Sequence, residues 1–269
     1  MNEFNEVNKN KIMKEKTTFD AKGEVENIVE FIRNYYQKYN LEGVVLGISG
    51  GKDSAVVAAL FTKALGKDKV VGLTLPCESK DEDRNDAKLI SDYYGFRLYN
   101  YDLTEIYHLI KKNLTTIGEF TNEETKEADI NLKSRLRMCS VYYAARLISD
   151  IRKRTYLVAG TSNKSELYVG YFTKGGDSVH DIAVLADYTV DEVIQIGEYL
   201  EVPDVVLHKT PSDGLSGKSD EDKMGITYEE IANYMENPLK VKEEARTKIK
   251  RMHEMSHHKF NIPTYRRQK

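Results

Sequence analysis

Tryptophan is missing from this 269-residue chain, cysteine occurs only twice and proline only five times. Cys77 and Cys139 are too few for a disulfide framework. With no second C-x-x-C half and no paired Cys/His spacing, a transition-metal site has no support either, and the two residues are expected to be reduced, mainly structural thiols. An excess of one charge is lacking too. The 40 basic and 43 acidic residues leave a net charge of -3, a field too weak to imply nucleic acid or membrane as the main partner. The longest apolar stretches, Val44 to Ile48 and Ala55 to Phe61, fall far short of a bilayer span, and the N-terminus is polar and lysine-bearing with no apolar signal core. A cytoplasmic protein is therefore expected.

What is present is a globular composition: 40% hydrophobic, 31% charged, with no low-complexity tract and no internal repeat. The length suits one large hydrophobic core. The expected organisation is a flexible arm over residues 1–20 followed by a single domain over residues 21–269.

Val25, Ile28, Val29, Ile32 and Tyr35/Tyr36 recur at helical spacing and predict a helix ending near Asn40. Val44 to Ile48 follows, apolar on both faces as a central strand of a parallel sheet must be. Beyond the turn, Val56, Val57, Leu60 and Ala64 line one side of a helix that stops at Gly66, and Val70 to Leu75 reads as the next strand, completing a βαβ unit. The alternation continues with a helix over Asp81 to Tyr94, a strand over Phe96 to Tyr101, helices over Leu103 to Ile117 and Asn131 to Ile151, and a strand over Tyr156 to Ala159. This pattern predicts an α/β fold with a doubly wound parallel sheet, whose ligand-bearing turns are those after Ile48 and after Ala159.

The turn Gly47-Ile48-Ser49-Gly50-Gly51-Lys52-Asp53-Ser54 joins a buried strand to a helix N-terminus, where unpaired N–H groups and the helix dipole favour a phosphate. It is not a Walker A loop, because Lys52 is followed by Asp53, and it is not the dinucleotide G-x-G-x-x-G. Gly47-x-Ser49-x-Gly51 does fit the G-x-S-x-G nucleophile elbow, which leaves a serine hydrolase acting through Ser49 as an alternative. Against it, the elbow usually follows several strands, and no His-Gly-Gly oxyanion loop is present. A glycine-rich turn with a capping Asp or Ser is the plain structural alternative. Asp53, a carboxylate beside bound phosphates, is better explained as a Mg²⁺ ligand.

Ser-Gly-Gly-x-Asp-Ser after a first strand resembles the pyrophosphate-binding loop of ATP pyrophosphatases. Further segments narrow the resemblance: Asn131-x-Lys133-Ser-Arg135-x-Arg137-Met138, Gly160-Thr161-Ser162-Asn163-Lys164-Ser165-Glu166, Gly170-x-x-Thr173-Lys174-Gly-Gly-Asp177, Pro211-Ser212-Asp213-Gly214, Ser219-Asp220-Glu221 and Gly225-Ile-Thr-Tyr228. In order and spacing they resemble ammonia-dependent NAD synthetases from Val25 to Lys259. The resemblance implies a Rossmann-like fold of the adenine nucleotide alpha hydrolase type. It also implies a carbon–nitrogen ligase that amidates deamido-NAD with free ammonia through an acyl-adenylate, releasing AMP and pyrophosphate. A glutaminase domain is not expected in a chain of this length, so ammonia is expected to come free from solution.

By the same resemblance, ATP is held by Gly47 to Ser54, Thr161 and Ser212, and Mg²⁺ by Asp53 and Glu166. Deamido-NAD is held by Arg135, Arg137, Lys174, Asp181, His258 and Lys259, and the catalytic set is Asp53, Lys174 and Ser212. Residues Gly214 to Asp222 resemble a mobile lid, and a homodimer is implied. Read without the family, Lys133 and Arg137 share a helical face suited to an anion while Arg135 points elsewhere; a solvated charged face is the rival reading. Likewise Glu166 alone reads as a surface carboxylate, the 174–181 and 214–222 stretches as ordinary loops, and His258-Lys259 as a solvated basic tail.

The chain departs from the family at four points. Val190 stands where a Lys usually contacts ATP phosphate, Asp177-Ser-Val-His-Asp181 replaces a more common Gly-Gly-Ala spacing, Val184 replaces a Pro, and Lys218 replaces a Gln. Lys52 or Lys218 could make up for the missing cation. Other readings are a paralogous ligase acting on another carboxylate and a nucleotide sensor without catalysis.

Overall fold

A strand that is apolar at every position needs cover on both sides, and the strand Gly43–Gly47 (β1) has it. Val44 and Leu46 enter one core, while Val45, one residue out of phase, enters the other. The computed structural model describes residues 19–79, 81–114, 117–118, 121–209 and 219–267. Most of the expected N-terminal arm lies outside them.

From the N-terminal side the elements are α1 (Ala21–Lys38), β1, α2 (Lys52–Leu65), β2 (Val70–Thr74), α3 (Asp81–Tyr94), β3 (Arg97–Asn100), α4 (Thr104–Leu114) and α5 (Asn122–Arg152). They continue with β4 (Tyr156–Gly160), α6 (Lys164–Val169), β5 (Ile182–Ala183), α7 (Val190–Tyr199), α8 (Asp204–Leu207), α9 (Asp220–Met224), α10 (Tyr228–Glu236) and α11 (Glu243–Phe260). The strands form one sheet in the order β3-β2-β1-β4-β5, parallel throughout. The order reverses between β1 and β4, so the crevice beyond their carboxyl ends is the switch point. This is the expected doubly wound sheet.

On one face, α1, α2 and α7 bury Ile32, Val57, Leu60, Phe61 and Ile196 against Val44 and Leu46. On the other, Val141 and Ala145 of α5 and Tyr107 of α4 cover Val45, Val71 and Val158. A third cluster gathers Val169, Val190, Met224, Ile226, Tyr228, Ile231 and Ile249 from the C-terminal helices. It seats α9 and α10 beside the carboxyl end of the sheet.

The sequence pattern places a helix over Asn131 to Ile151, but α5 starts at Asn122. The added turns, Asn-Glu-Glu-Thr-Lys-Glu-Ala-Asp, carry no apolar stripe to read. They are launched by a capping box in which the Thr121 hydroxyl accepts the Glu124 N–H and Glu124 returns the bond to the Thr121 N–H. The short β5 is too brief for any periodicity. Cys77 is buried and Cys139 exposed, both unpaired. Among the described residues no helix is long and apolar enough to cross a membrane.

Candidate active site

The turn after β1 is built from its own small side chains. Ser54 Oγ receives the Ser49 N–H at 3.2 Å and donates to the Gly51 carbonyl at 3.0 Å, while Ser49 Oγ accepts from the Gly51 N–H at 3.2 Å. Ser49 Oγ also pairs with Ser54 Oγ at 3.2 Å. With its hydroxyl committed to the turn and no histidine bonded to it among the described residues, Ser49 does not have the partner a hydrolase nucleophile needs. Gly50 adopts φ 80°, and a Cβ there would lie 2.4 Å from the Asp83 carbonyl oxygen. Gly51 caps α2 with no side-chain hydrogen bond, which leaves the first-turn N–H groups for an outside anion.

The turn after β4 supplies the second half. Asn163 begins α6 with a capping box: its Oδ1 accepts the Glu166 N–H at 3.1 Å, and Glu166 Oε2 accepts the Asn163 N–H at 3.2 Å. The Asn163 Nδ2 donates to Asp53 Oδ1 at 3.1 Å, so the two turns are joined across the switch point. Glu166 keeps some exposed surface, yet protein encloses its carboxylate. Burial first and the Asp53 carboxylate second push its pKa up to about 8, with Lys52 opposing.

Lys52 lies among these carboxylates, its Nζ 2.9 Å from Asp53 Oδ2 and 5.9 Å from the centre of the Tyr228 ring. Burial, the strongest influence, works to lower its pKa, but Asp53, Glu166 and Asp220 together outweigh burial and raise it. Asp220 comes from α9 and accepts the Tyr171 hydroxyl at 3.1 Å. The Tyr228 hydroxyl is buried without a hydrogen-bond partner among the described residues; burial first, then Glu166, Asp220 and Asp53, drive its pKa far up, so it stays a neutral donor.

This donor set fits magnesium. Oxygen ligands from two carboxylates in an enclosed place, one of them with its pKa raised by burial and by the other's charge, suit a hard divalent cation completed by substrate phosphates and water. Among the described residues no three His, Cys, Asp or Glu side chains converge on a metal position by themselves.

The other expected site residues form separate groups. Arg135 donates through Nε and Nη2 to the Lys174 carbonyl at 3.3 and 3.2 Å, and Lys174 Nζ donates to the His258 carbonyl at 2.5 Å. Lys259 Nζ donates to the Gly170 and Phe172 carbonyls at 2.6 Å each; burial pulls its pKa down against Asp177 and Glu127. Arg135, Lys174, His258 and Lys259 are thus brought together around the 170–177 loop.

Arg137 stands apart from them, bonding the Leu75 carbonyl at 3.1 Å and Ser79 Oγ at 3.3 Å. Lys133, on the same helical face, takes Glu78 Oε2 at 2.6 Å, so its anionic partner is internal. Asp181 accepts the Val158 N–H at 2.8 Å and the Tyr142 hydroxyl at 3.0 Å, tying β5 to β4 and α5. Thr161 follows β4 directly. Val190 is buried at the first turn of α7 in the C-terminal cluster. Ser212 and Lys218 lie outside the described residues, as does most of the expected lid.

Asn163 and Tyr228 carry no individual role in the sequence reading, and Asp220 enters it only as part of the 214–222 lid. The signal for Asn163 is present, since Asn163-x-x-Glu166 reads as a capping box before a helix. Asp220 and Tyr228 stand in segments that carry the family resemblance, Ser219-Asp220-Glu221 and Gly225-Ile-Thr-Tyr228, but their place beside Lys52 depends on the packing of α9 and α10.

Comparison with known proteins converges on one family. The NAD synthase family profile matches residues 24–267. The NH(3)-dependent NAD(+) synthetase of Methanocaldococcus jannaschii is 41% identical over 245 residues, covering 89% of this chain and 86% of its own. Among solved structures, the NMN synthetase of Francisella tularensis superposes with TM-score 0.83 at 33% identity, over 92% of this chain and 99% of its own. The NH3-dependent NAD synthetase of Campylobacter jejuni, in complex with nitrate, does so with TM-score 0.73 at 25% identity, again over 92% and 99%.

Proposed function

This chain belongs to the NAD synthase family, and from that premise we propose that it is an AMP-forming ligase that amidates deamido-NAD with free ammonia at the expense of ATP. The observation that carries the reading is the junction of the Asp53 and Glu166 carboxylates through Asn163 at the glycine turn, Asp53 Oδ1 accepting its side-chain amide at 3.1 Å and Glu166 Oε2 its backbone N–H at 3.2 Å. Two acidic side chains from different turns, beside a phosphate-shaped loop, are what a metal-bridged diphosphate requires.

The turn Gly47 to Ser54 receives the β- and γ-phosphates on its backbone N–H groups and the α2 N-terminus, with Thr161 beside the adenosine and Ser212 beside phosphate. Asp53 and Glu166 would hold magnesium, which supplies charge neutralisation of the leaving diphosphate. The nicotinate carboxylate attacks the α-phosphorus; the bond to pyrophosphate breaks and an acyl-adenylate forms. Ammonia then attacks the acyl carbon, a proton is lost, and AMP departs. No protein nucleophile is needed: the work is positioning and electrostatics. Lys174, with Arg135, Arg137, Asp181, His258 and Lys259, orients the deamido-NAD, and the catalytic set is Asp53, Lys174 and Ser212.

A homodimer is part of the proposal. Along α5, Tyr143, Leu147 and Ile151 recur every four residues on the side away from Val141 and Ala145, with Tyr143 72% and Ile151 71% exposed. Ile106 and Leu109 of α4 are exposed too. A stripe of this kind supports pairing with a second copy.

A second reading keeps the chemistry and changes the acceptor to the mononucleotide acid, and the superposition on an NMN synthetase favours it. One assay tests both. The protein is incubated with ATP, Mg²⁺ and ammonium plus either deamido-NAD or the mononucleotide acid, and AMP, pyrophosphate and amide are followed. NAD formed faster than NMN supports the first reading, the reverse supports the second, and no amide from either acceptor overturns both.

A further inference from the structure

Lys52 is an unusual occupant of its position. It is the first residue of α2, where the helix dipole disfavours a cation, and it is 5% exposed. A buried ammonium persists only when opposite charge surrounds it. Here the charge comes from Asp53, bonded at 2.9 Å, and from Asp220 nearby, with the Glu166 carboxyl beside them. These three carboxylates arrive from three different segments.

Two details separate this from an ordinary structural ion pair. Asp53 is held from its other oxygen by Asn163, so it stays in place if the ammonium leaves, whereas Lys52 ends a flexible four-carbon stem. The centre of the Tyr228 ring lies 5.9 Å from Lys52 Nζ, and its hydroxyl is a buried donor with no acceptor among the described residues, the mark of a place that lacks a ligand oxygen.

The geometry points to Lys52 as an exchangeable counter-ion: in the free protein its ammonium neutralises Asp53 and offsets Asp220, and on nucleotide binding it yields Asp53 to a divalent cation and turns to the phosphate oxygens. This inference rests on the nucleotide reading of the turn. It gives Lys52 two opposed effects. The ammonium competes with metal when nucleotide is absent and assists phosphate binding when nucleotide is present, so the carboxylates are never left together without a cation.

The test uses the full chain and its Lys52→Met and Lys52→Arg variants, with Lys52→Gln as a second neutral variant should methionine impair folding. Mn²⁺ affinity without nucleotide is read by electron paramagnetic resonance, and affinity for α,β-methylene-ATP with Mg²⁺ by calorimetry. Loss of the ammonium is expected to tighten Mn²⁺ binding and weaken analogue binding, each by about tenfold or more, the scale set by one nearby charge. Lys52→Arg is expected to restore analogue binding. If either affinity of the neutral variants stays within about twofold of the parent, the counter-ion role is overturned. If the parent binds neither probe, the nucleotide reading itself fails, a result distinct from the first.

Discussion

Asn163 donates its side-chain amide to Asp53 across 110 positions of sequence, at 3.1 Å, and by that bond the turn after β4 sets the carboxylate on the turn after β1. The same residue caps α6 and receives Glu166. One asparagine therefore spaces the two acidic groups proposed to share a metal.

Replacing it separates two contributions. Asn163→Ala removes the cap and the donor to Asp53, and is expected to cost about 1 kcal/mol of stability from the cap alone. Asn163→Asp keeps a capping oxygen but faces Asp53 with a like charge. Metal-free urea denaturation should rank alanine below the parent, and Mg²⁺-dependent nucleotide binding should be weakened in both variants; parental affinity in both would refute the spacing role.

Glu166 gives a pH signature. Its folded pKa is raised to about 8, above the ordinary carboxylate value, so between roughly 4.5 and 8 the folded protein holds a proton that the unfolded chain releases. Its contribution is fully present below that window and is lost as pH rises through it. With metal chelated, the parent's Tm is expected to fall across this range more steeply than that of Glu166→Gln. Parallel curves would show that Glu166 is not held protonated.

Gly50→Ala tests the turn. At φ 80° a side chain is strained, and its Cβ would meet the Asp83 backbone at 2.4 Å, an atom that cannot swing aside. A loss of about 1–3 kcal/mol is expected, with nucleotide affinity falling alongside it. Unchanged denaturation and unchanged calorimetric affinity would mean that the turn is not held in this shape.

The apolar stripe of α5 predicts assembly behaviour. Ile151→Asp and Tyr143→Asp place a charge where 71% and 72% of each residue is exposed, so neither should harm the folded subunit. Sedimentation should show a dimer for the parent and a monomer for the double variant. A parent that sediments as a monomer, or a double variant that remains dimeric, counts against this face as the contact.

Local chemistry was enough to read β1, its glycine turn, α2 and β2, because an apolar run, a phosphate-type turn and a helical stripe are each complete within a few turns of chain. It was enough to nominate Asp53 and the switch point, since alternating strands and helices imply a parallel sheet with ligands at its carboxyl end, whereas Glu166 was named by the family resemblance and alone reads as a surface carboxylate. The polar start of α5 escaped because its stability comes from a capping box and from the packed turns that follow it.

What the tertiary structure alone decided is which side chains meet. That β4 lies beside β1, that Asn163 therefore reaches Asp53, and that α9 and α10 bring Asp220 and Tyr228 to Lys52, all depend on sheet order and on the packing of the C-terminal cluster. A residue's own neighbours in sequence carry no record of such contacts, because the free energy that selects them comes from burying surfaces contributed by segments far apart in the chain.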